Sequence, residues 1–171
     1  KNMYSYKYVN GHTLSEGVTT ENFKFFLDHL KDFHVTYPKT NKFVNNCRKF
    51  YKNKTFERVD FYFERFNLKD NNREVINGER SNSIKSTLKN LDWDWLSDGI
   101  PVRFHGDLHF ENILVPKDNA FHTPPFLFVD WRQDFSGDLK IGDIYYDLGK
   151  LYHAIMINGQ SILKDMFSYE I

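Results

Sequence analysis

The sequence predicts an α+β fold, mostly helical, with a small β-element inserted late in the chain. Three observations carry this. Before Pro101, apolar residues recur at helical spacing over several long segments. After Pro101 the texture changes to short apolar runs bounded by glycine and polar residues. From Asp143 onward a helical stripe returns.

Taken in order, Tyr4-Ser5-Tyr6-Lys7-Tyr8-Val9 alternates aromatic and polar residues, the period of a strand, and Asn10-Gly11 breaks it. Thr20 to His34 predicts an amphipathic helix capped by Thr20, with Phe23, Phe26, Leu27, Leu30 and Phe33 on one face. Phe43, Val44, Cys47, Phe50 and Tyr51 form a second helical stripe. Phe56, Val59, Phe63 and Phe66 form a third, continuous with the second across Asn53-Lys54, and Phe63, like Phe26 and Phe50, is expected in the core. Lys69 to Arg73 and Asn77-Gly78 read as loop, and Ile84, Leu88 and Leu91 as a short helix. Three short strands follow at Val102–Phe104, Ile113–Val115 and Phe126–Val129, with a reversal between the last two. The stretch holding Gly137 and Gly142 reads as irregular loop. A final helix is capped by Asp143, with Ile144, Leu148, Leu151 and Ile155 on its face.

The bulk numbers bound the function. A length of 171 residues suits one domain or one lobe, and 40% hydrophobic residues with 18% aromatics supply a core. Lys+Arg 23 balance Asp+Glu 23, so no global field draws the chain to nucleic acid or to an anionic membrane. The basic run from Lys39 to Lys54 reads as a solvated face. A lone cysteine, Cys47, excludes an internal disulfide and a multi-cysteine zinc site, and suits a cytoplasmic location. No apolar run approaches a membrane span.

The chemistry concentrates in Phe104-His105-Gly106-Asp107-Leu108-His109-Phe110-Glu111-Asn112, followed by Phe126–Val129 ending on Asp130-Trp131. Phosphoryl transfer from ATP needs a carboxylate that orients and deprotonates the attacking hydroxyl, and hard oxygen ligands for Mg²⁺. Asp107, Asn112 and Asp130 are of those types. A tight loop after a strand, turned at Gly106, would aim Asp107 into a cleft, with Asn112 returning from the same loop. His105 and His109, four apart, invite a zinc reading, but a strand and a glycine at that point argue against a helix that would align the two rings.

His105-Gly106-Asp107-Leu108-His109-x-x-Asn112 resembles the catalytic loop of the aminoglycoside phosphotransferase/choline kinase family, which shares the protein-kinase-like fold. Asp130-Trp131-Arg132 stands where that family has its metal-binding Asp, and Gly142 to Gly149 resembles its D-x-x-x-D-L-A helix. The resemblance implies Asp107 as catalytic base, Asn112 and Asp130 as Mg²⁺ ligands, and His105 and Asp147 as hydrogen-bonded braces of the loop. It implies ATP and Mg²⁺ as cofactors and a small-molecule hydroxyl acceptor as partner: a sugar, an aminoglycoside or an amino alcohol. That no concentrated acidic patch is visible in the sequence leans slightly to a sugar or other cell-surface precursor. Residues 1–11 resemble the hinge strand between lobes, placing Tyr6 and Tyr8 beside the nucleotide. On that resemblance the chain is expected to be a single C-terminal lobe over 1–171. Neither the glycine-rich loop nor the phosphate-anchoring lysine of an N-terminal nucleotide-binding lobe precedes Tyr4.

Two residues stay open between roles. His109 is a substrate contact or a support. Arg132 meets a phosphate, or pairs with Asp134 or Asp138. Trp93 and Trp95, beside Asp92 and Asp94, either line an acceptor cleft or anchor the core ahead of the loop, and the core role is the expectation. The rival readings are a non-catalytic kinase-like binding module and a metal hydrolase using His105, His109 and Asp130.

Overall fold

A computed structural model describes residues 8–70, 75–117, 125–157, 159–166 and 168. The strand expected over Tyr4–Val9 falls mostly outside these residues. The first described strand, β1 (Gly11–Thr13), begins where the sequence suggests a break. Gly11 pairs with Pro116, and a Cβ at Gly11 would lie 2.5 Å from the Val115 carbonyl oxygen, so glycine lets the two strands close.

Helix α1 (Thr20–Phe33) starts one residue earlier than its expected cap implies: Thr19, not Thr20, is the N-cap. Asn22 N–H donates to Thr19 Oγ1 at 3.2 Å, and Thr19 N–H donates to Asn22 Oδ1 at 2.6 Å, which closes a capping box. Helix α2 (Asn41–Arg48) runs through a π-helical turn (Lys49–Asn53) into α3 (Lys54–Arg65), confirming the expected continuity. The wider turn delivers Phe50 to the core but shifts the stripe beyond it. No residue of α3 is fully buried, and Phe63 is only half-buried, so it is not the core residue expected.

Asn77-Gly78 proves to be more than loop. It joins β2 (Val75–Ile76) to β3 (Glu79–Arg80), with φ of 51° and 81° at the two turn residues, the pair of positive angles that a tight hairpin demands. Short helices α4 (Ile84–Lys89) and α5 (Trp93–Leu96) follow, capped by Ser83 and Asp92.

Strand β4 (Pro101–Arg103) leads to the candidate loop, β5 (Ile113–Pro116) follows it, and β6 (Leu127–Phe128) pairs antiparallel with β5, as the expected reversal requires. The order β1-β5-β6 makes the largest sheet. A strand absent from the sequence reading, β7 (Ile141–Asp143), pairs with β4 so that Gly142 faces Val102. Helix α6 (Ile144–Met156) is capped by Asp143 as expected, but its inner face is Asp147, Leu151 and Ala154. Leu148 and Ile155, assigned to that face by hydrophobicity, are 38% and 50% exposed. A short α7 (Gly159–Leu163) is the last element among the described residues.

Two cores result. One joins α1 to the three-stranded sheet and α6 through Phe26, Leu30, Phe33, Leu108, Ile113 and Leu151. The other holds Phe43, Cys47, Phe50, Val102, Phe104 and Phe135. The candidate loop is rooted in both, by Phe104 in the second and by Leu108 and Phe110 in the first. Each such buried side chain contributes about 1.5–3 kcal/mol of transfer free energy, which fixes the loop's ends. Among the described residues no helix is long and apolar enough to cross a membrane.

Candidate active site

The loop that leaves β4 is held through its backbone. Asp147, fully buried on α6, accepts the His105 N–H at 2.8 Å on one carboxylate oxygen and the Gly106 N–H at 2.7 Å on the other. His34, at the end of α1, places Nε2 3.0 Å from the same carboxylate. The buried His105 ring spans the loop itself. Its Nδ1 accepts the Asp107 N–H at 3.1 Å, so Nε2 carries the proton and donates to the Val129 carbonyl at 2.8 Å. Burial lowers the His105 pKa and keeps the ring neutral, outweighing the Val129 contact and the nearby carboxylates. Gly106 turns the chain at φ 84°, and a Cβ there would run into Arg132 and Phe104.

This frame presents Asp107 with its side chain 38% exposed. Lys150 Nζ lies 2.9 Å and His109 Nε2 3.2 Å from Asp107 Oδ1. Asn112 Nδ2 donates to the Asp107 carbonyl at 2.8 Å and to Oδ2 at 3.3 Å, so the amide at the loop's return is locked to the carboxylate at its start. Partial burial pushes the Asp107 carboxyl up, but the Lys150 hydrogen bond and charge, with His109 and His105, outweigh it and hold the group below the usual carboxylate range.

Asp130 is reached through Val129, whose N–H donates to the Asn112 carbonyl at 3.0 Å and whose own carbonyl receives His105. It is exposed, at φ 54°, a conformation that Asp tolerates better than most residues and one that re-aims the chain as β6 ends. Asp130 lies on the wall of a cleft of about 920 Å³ that it shares with Tyr8, Leu114, Phe128 and Trp131. Tyr8, 83% exposed, lines this cleft; Tyr6 lies outside the described residues.

Arg132 is turned to neither expected carboxylate. Its guanidinium lies over Phe50 at 4.8 Å and Tyr146 at 5.7 Å, and Nε donates to the backbone carbonyl of Asp134 at 3.2 Å. Asp138 instead takes Lys42 at 3.2 Å. The zinc arrangement is absent as well. Both His105 nitrogens are engaged by backbone groups, and among the described residues no three His, Cys, Asp or Glu converge on a point that could hold a metal.

On the far side of Lys150 a second pocket, about 630 Å³, is lined by Tyr51, Trp93, Trp95, Tyr145, Tyr146 and Lys150 among others. Trp93 is half-buried and donates Nε1–H to the Leu88 carbonyl, but Trp95 is 72% exposed, which corrects its expected role as a core anchor. Its short helix points it into the pocket mouth instead.

Sequence reasoning missed two residues here. His34 carries no signal of its own, since its partner is 113 positions away. Lys150 could have been found: it follows Asp147 by three in an expected helix, which puts both on neighbouring ridges.

Over residues 3–168 the chain matches the family model described as the phosphotransferase enzyme family (APH). No curated protein and no solved structure matches it.

Proposed function

The chain belongs to the phosphotransferase enzyme family, and from that premise we propose that it transfers the γ-phosphoryl group of ATP to a hydroxyl of a small molecule, with Asp107 as the base. The observation that carries this is a half-exposed carboxylate at the tip of a loop whose backbone is clamped on three sides. Such a group is preorganised, and preorganisation is most of what phosphoryl transfer asks of a protein.

In this reading the acceptor hydroxyl donates a hydrogen bond to Asp107, which takes its proton as the oxygen attacks the γ-phosphorus. The new O–P bond forms as the bond to the ADP oxygen breaks. Lys150 keeps Asp107 charged before the step and orients it, with Asn112 fixing the other oxygen. His105 and Asp147 hold the loop and touch no substrate, while Tyr8 and Trp131 border the nucleotide side of the cleft. Asn112 and Asp130 are the residues that would hold Mg²⁺. An exposed carboxylate and an amide are hard oxygen donors too few to cage the ion alone, and suit a cation completed by phosphate and water. Its chemistry there is to neutralise charge on the phosphates. The same arrangement supports a large, C-terminal lobe of a protein-kinase-like enzyme as the structural role of this chain.

The test is transfer itself. With MgATP and a mixture of sugars, amino alcohols and aminoglycosides, phosphorus NMR should show a new phosphomonoester that requires both Mg²⁺ and the Asp130 carboxylate. Nucleotide binding with no transfer to any hydroxyl would favour the non-catalytic binding module instead.

A further inference from the structure

The pocket beyond Lys150 differs in charge from what its aromatic lining suggests. Stacked rings attract cations, and an aromatic wall with acidic neighbours invites an ammonium ligand. Yet among the described residues the carboxylates that line this pocket, Asp98 and Asp143, are already engaged. Asp143 is fully buried and accepts Tyr51 O–H at 2.7 Å, Ile100 N–H at 2.9 Å and Tyr145 N–H at 3.2 Å. Asp98 is paired with Lys39, and Asp94 with Arg48 at 2.7 Å. Asp92 accepts the Trp95 N–H at the start of α5 and is not among the residues lining the pocket.

The rings are engaged too. Tyr146 has the Arg132 guanidinium 5.7 Å and the Lys150 ammonium 5.9 Å from its centroid, so its π-face already serves two cations of the protein. Trp95 and Tyr145, by contrast, are 72% and 57% exposed. What the pocket offers a ligand is therefore two accessible aromatic surfaces and one ammonium, Lys150, which also touches Asp107 at 2.9 Å.

Resting on the phosphotransferase reading above, we infer that this pocket binds the acceptor, that the acceptor is an uncharged polyhydroxylated ring of the sugar class, and that Lys150 discriminates against cationic amines. A sugar ring places its C–H face on Trp95 or Tyr145 and its hydroxyls toward Lys150 and Asp107. Hydroxyl oxygens accept hydrogen bonds from the ammonium, whereas a quaternary amine or an aminoglycoside would meet like charge, and the carboxylate beside it, Asp107, is already paired with that ammonium. Lys150 is thus a specificity-determining residue as well as a partner of Asp107.

Calorimetry and steady-state kinetics with glucose, galactose and ribose against choline, ethanolamine and kanamycin test this. The wild-type protein should bind at least one neutral sugar and use it at least about tenfold better than any of the amines, a difference of about 1.4 kcal/mol. Trp95→Ala should raise the KM for that sugar several-fold with kcat nearly unchanged. Lys150→Gln lowers turnover of every acceptor through Asp107, so the informative quantity is the ratio of amine to sugar kcat/KM, or of their binding constants, which should rise about tenfold or more. Preference of the wild type for an amine, no binding of any neutral sugar, or an unmoved ratio in Lys150→Gln each overturns the inference. Asp107-dependent hydrolysis of MgATP by water, followed in parallel without acceptor, reports on the phosphotransferase reading separately.

Discussion

Asp147 receives the His105 backbone N–H at 2.8 Å across 42 positions of sequence, and the Gly106 N–H at 2.7 Å on its second oxygen. A helix side chain therefore fixes the conformation of the loop that bears Asp107, and His34 shares the same carboxylate. Burial of a charge at this depth is tolerated because three donors converge on it.

Asp147→Ala leaves those donors without a partner inside the protein. The expected cost is about 3–5 kcal/mol of stability, the range for breaking a buried charged network, read from urea unfolding. Asp147→Asn turns an N–H₂ toward a backbone N–H and should also be destabilising, by less. Both should lower kcat more than they raise the acceptor KM, since they disturb the base and not the pocket.

Gly106→Ala tests the turn. The position sits at φ 84°, where an L side chain is strained, and its Cβ would meet Arg132 and the Phe104 ring. The left-handed conformation alone costs about 1–2 kcal/mol, and the collision adds to it. The thermal midpoint should fall, and activity with it.

Stability should decline on the acid side of neutrality. His105 and His29 both titrate below the ordinary histidine value of 6.5, in each case chiefly because burial disfavours the charged ring. The unfolded chain then binds more protons than the fold as the pH drops below that value. The histidines' contribution is complete above it and is lost as pH falls toward the lowered values. Urea midpoints at about pH 7.5 and about pH 5.5 should differ in that sense, and His105→Gln should reduce the difference.

Lys150→Met should move the acid limb of kcat/KM. Partial burial raises the Asp107 pKa and Lys150 is the chief influence lowering it. Without the ammonium the carboxyl protonates at higher pH, so activity is lost earlier as pH falls. The kcat/KM profile of the variant should therefore have its acid limb displaced upward relative to the wild type.

The candidate loop is legible in the sequence because its functional residues are contiguous: His105 to Asn112 pass through one turn, and Asp130 ends the next apolar run. Helix α1 is legible because its face is long and uniformly apolar, and only its cap shifts by a residue. What escapes is whatever depends on distant partners. Strand β7 is hidden since Gly142 looks like a turn until Val102 lies opposite it. The face of α6 is misjudged because hydrophobicity favours Leu148 and Ile155, while the loop's backbone donors draw Asp147 inward. Arg132 finds aromatic rings from two distant elements, Phe50 and Tyr146, which no local pattern encodes. Trp95 looks like a core residue from its composition, yet four residues of helix hold it at the surface.

The most direct test is the rate of MgATP-dependent phosphorylation by Asp107→Asn, which keeps the shape of the side chain and removes the base. With unfolding and circular dichroism unchanged, kcat should fall by about 10²–10⁴-fold, the range for a positioned general base. A variant that folds normally and retains kcat within a few-fold of the wild type would contradict the assignment of Asp107 as the base and the mechanism built on it.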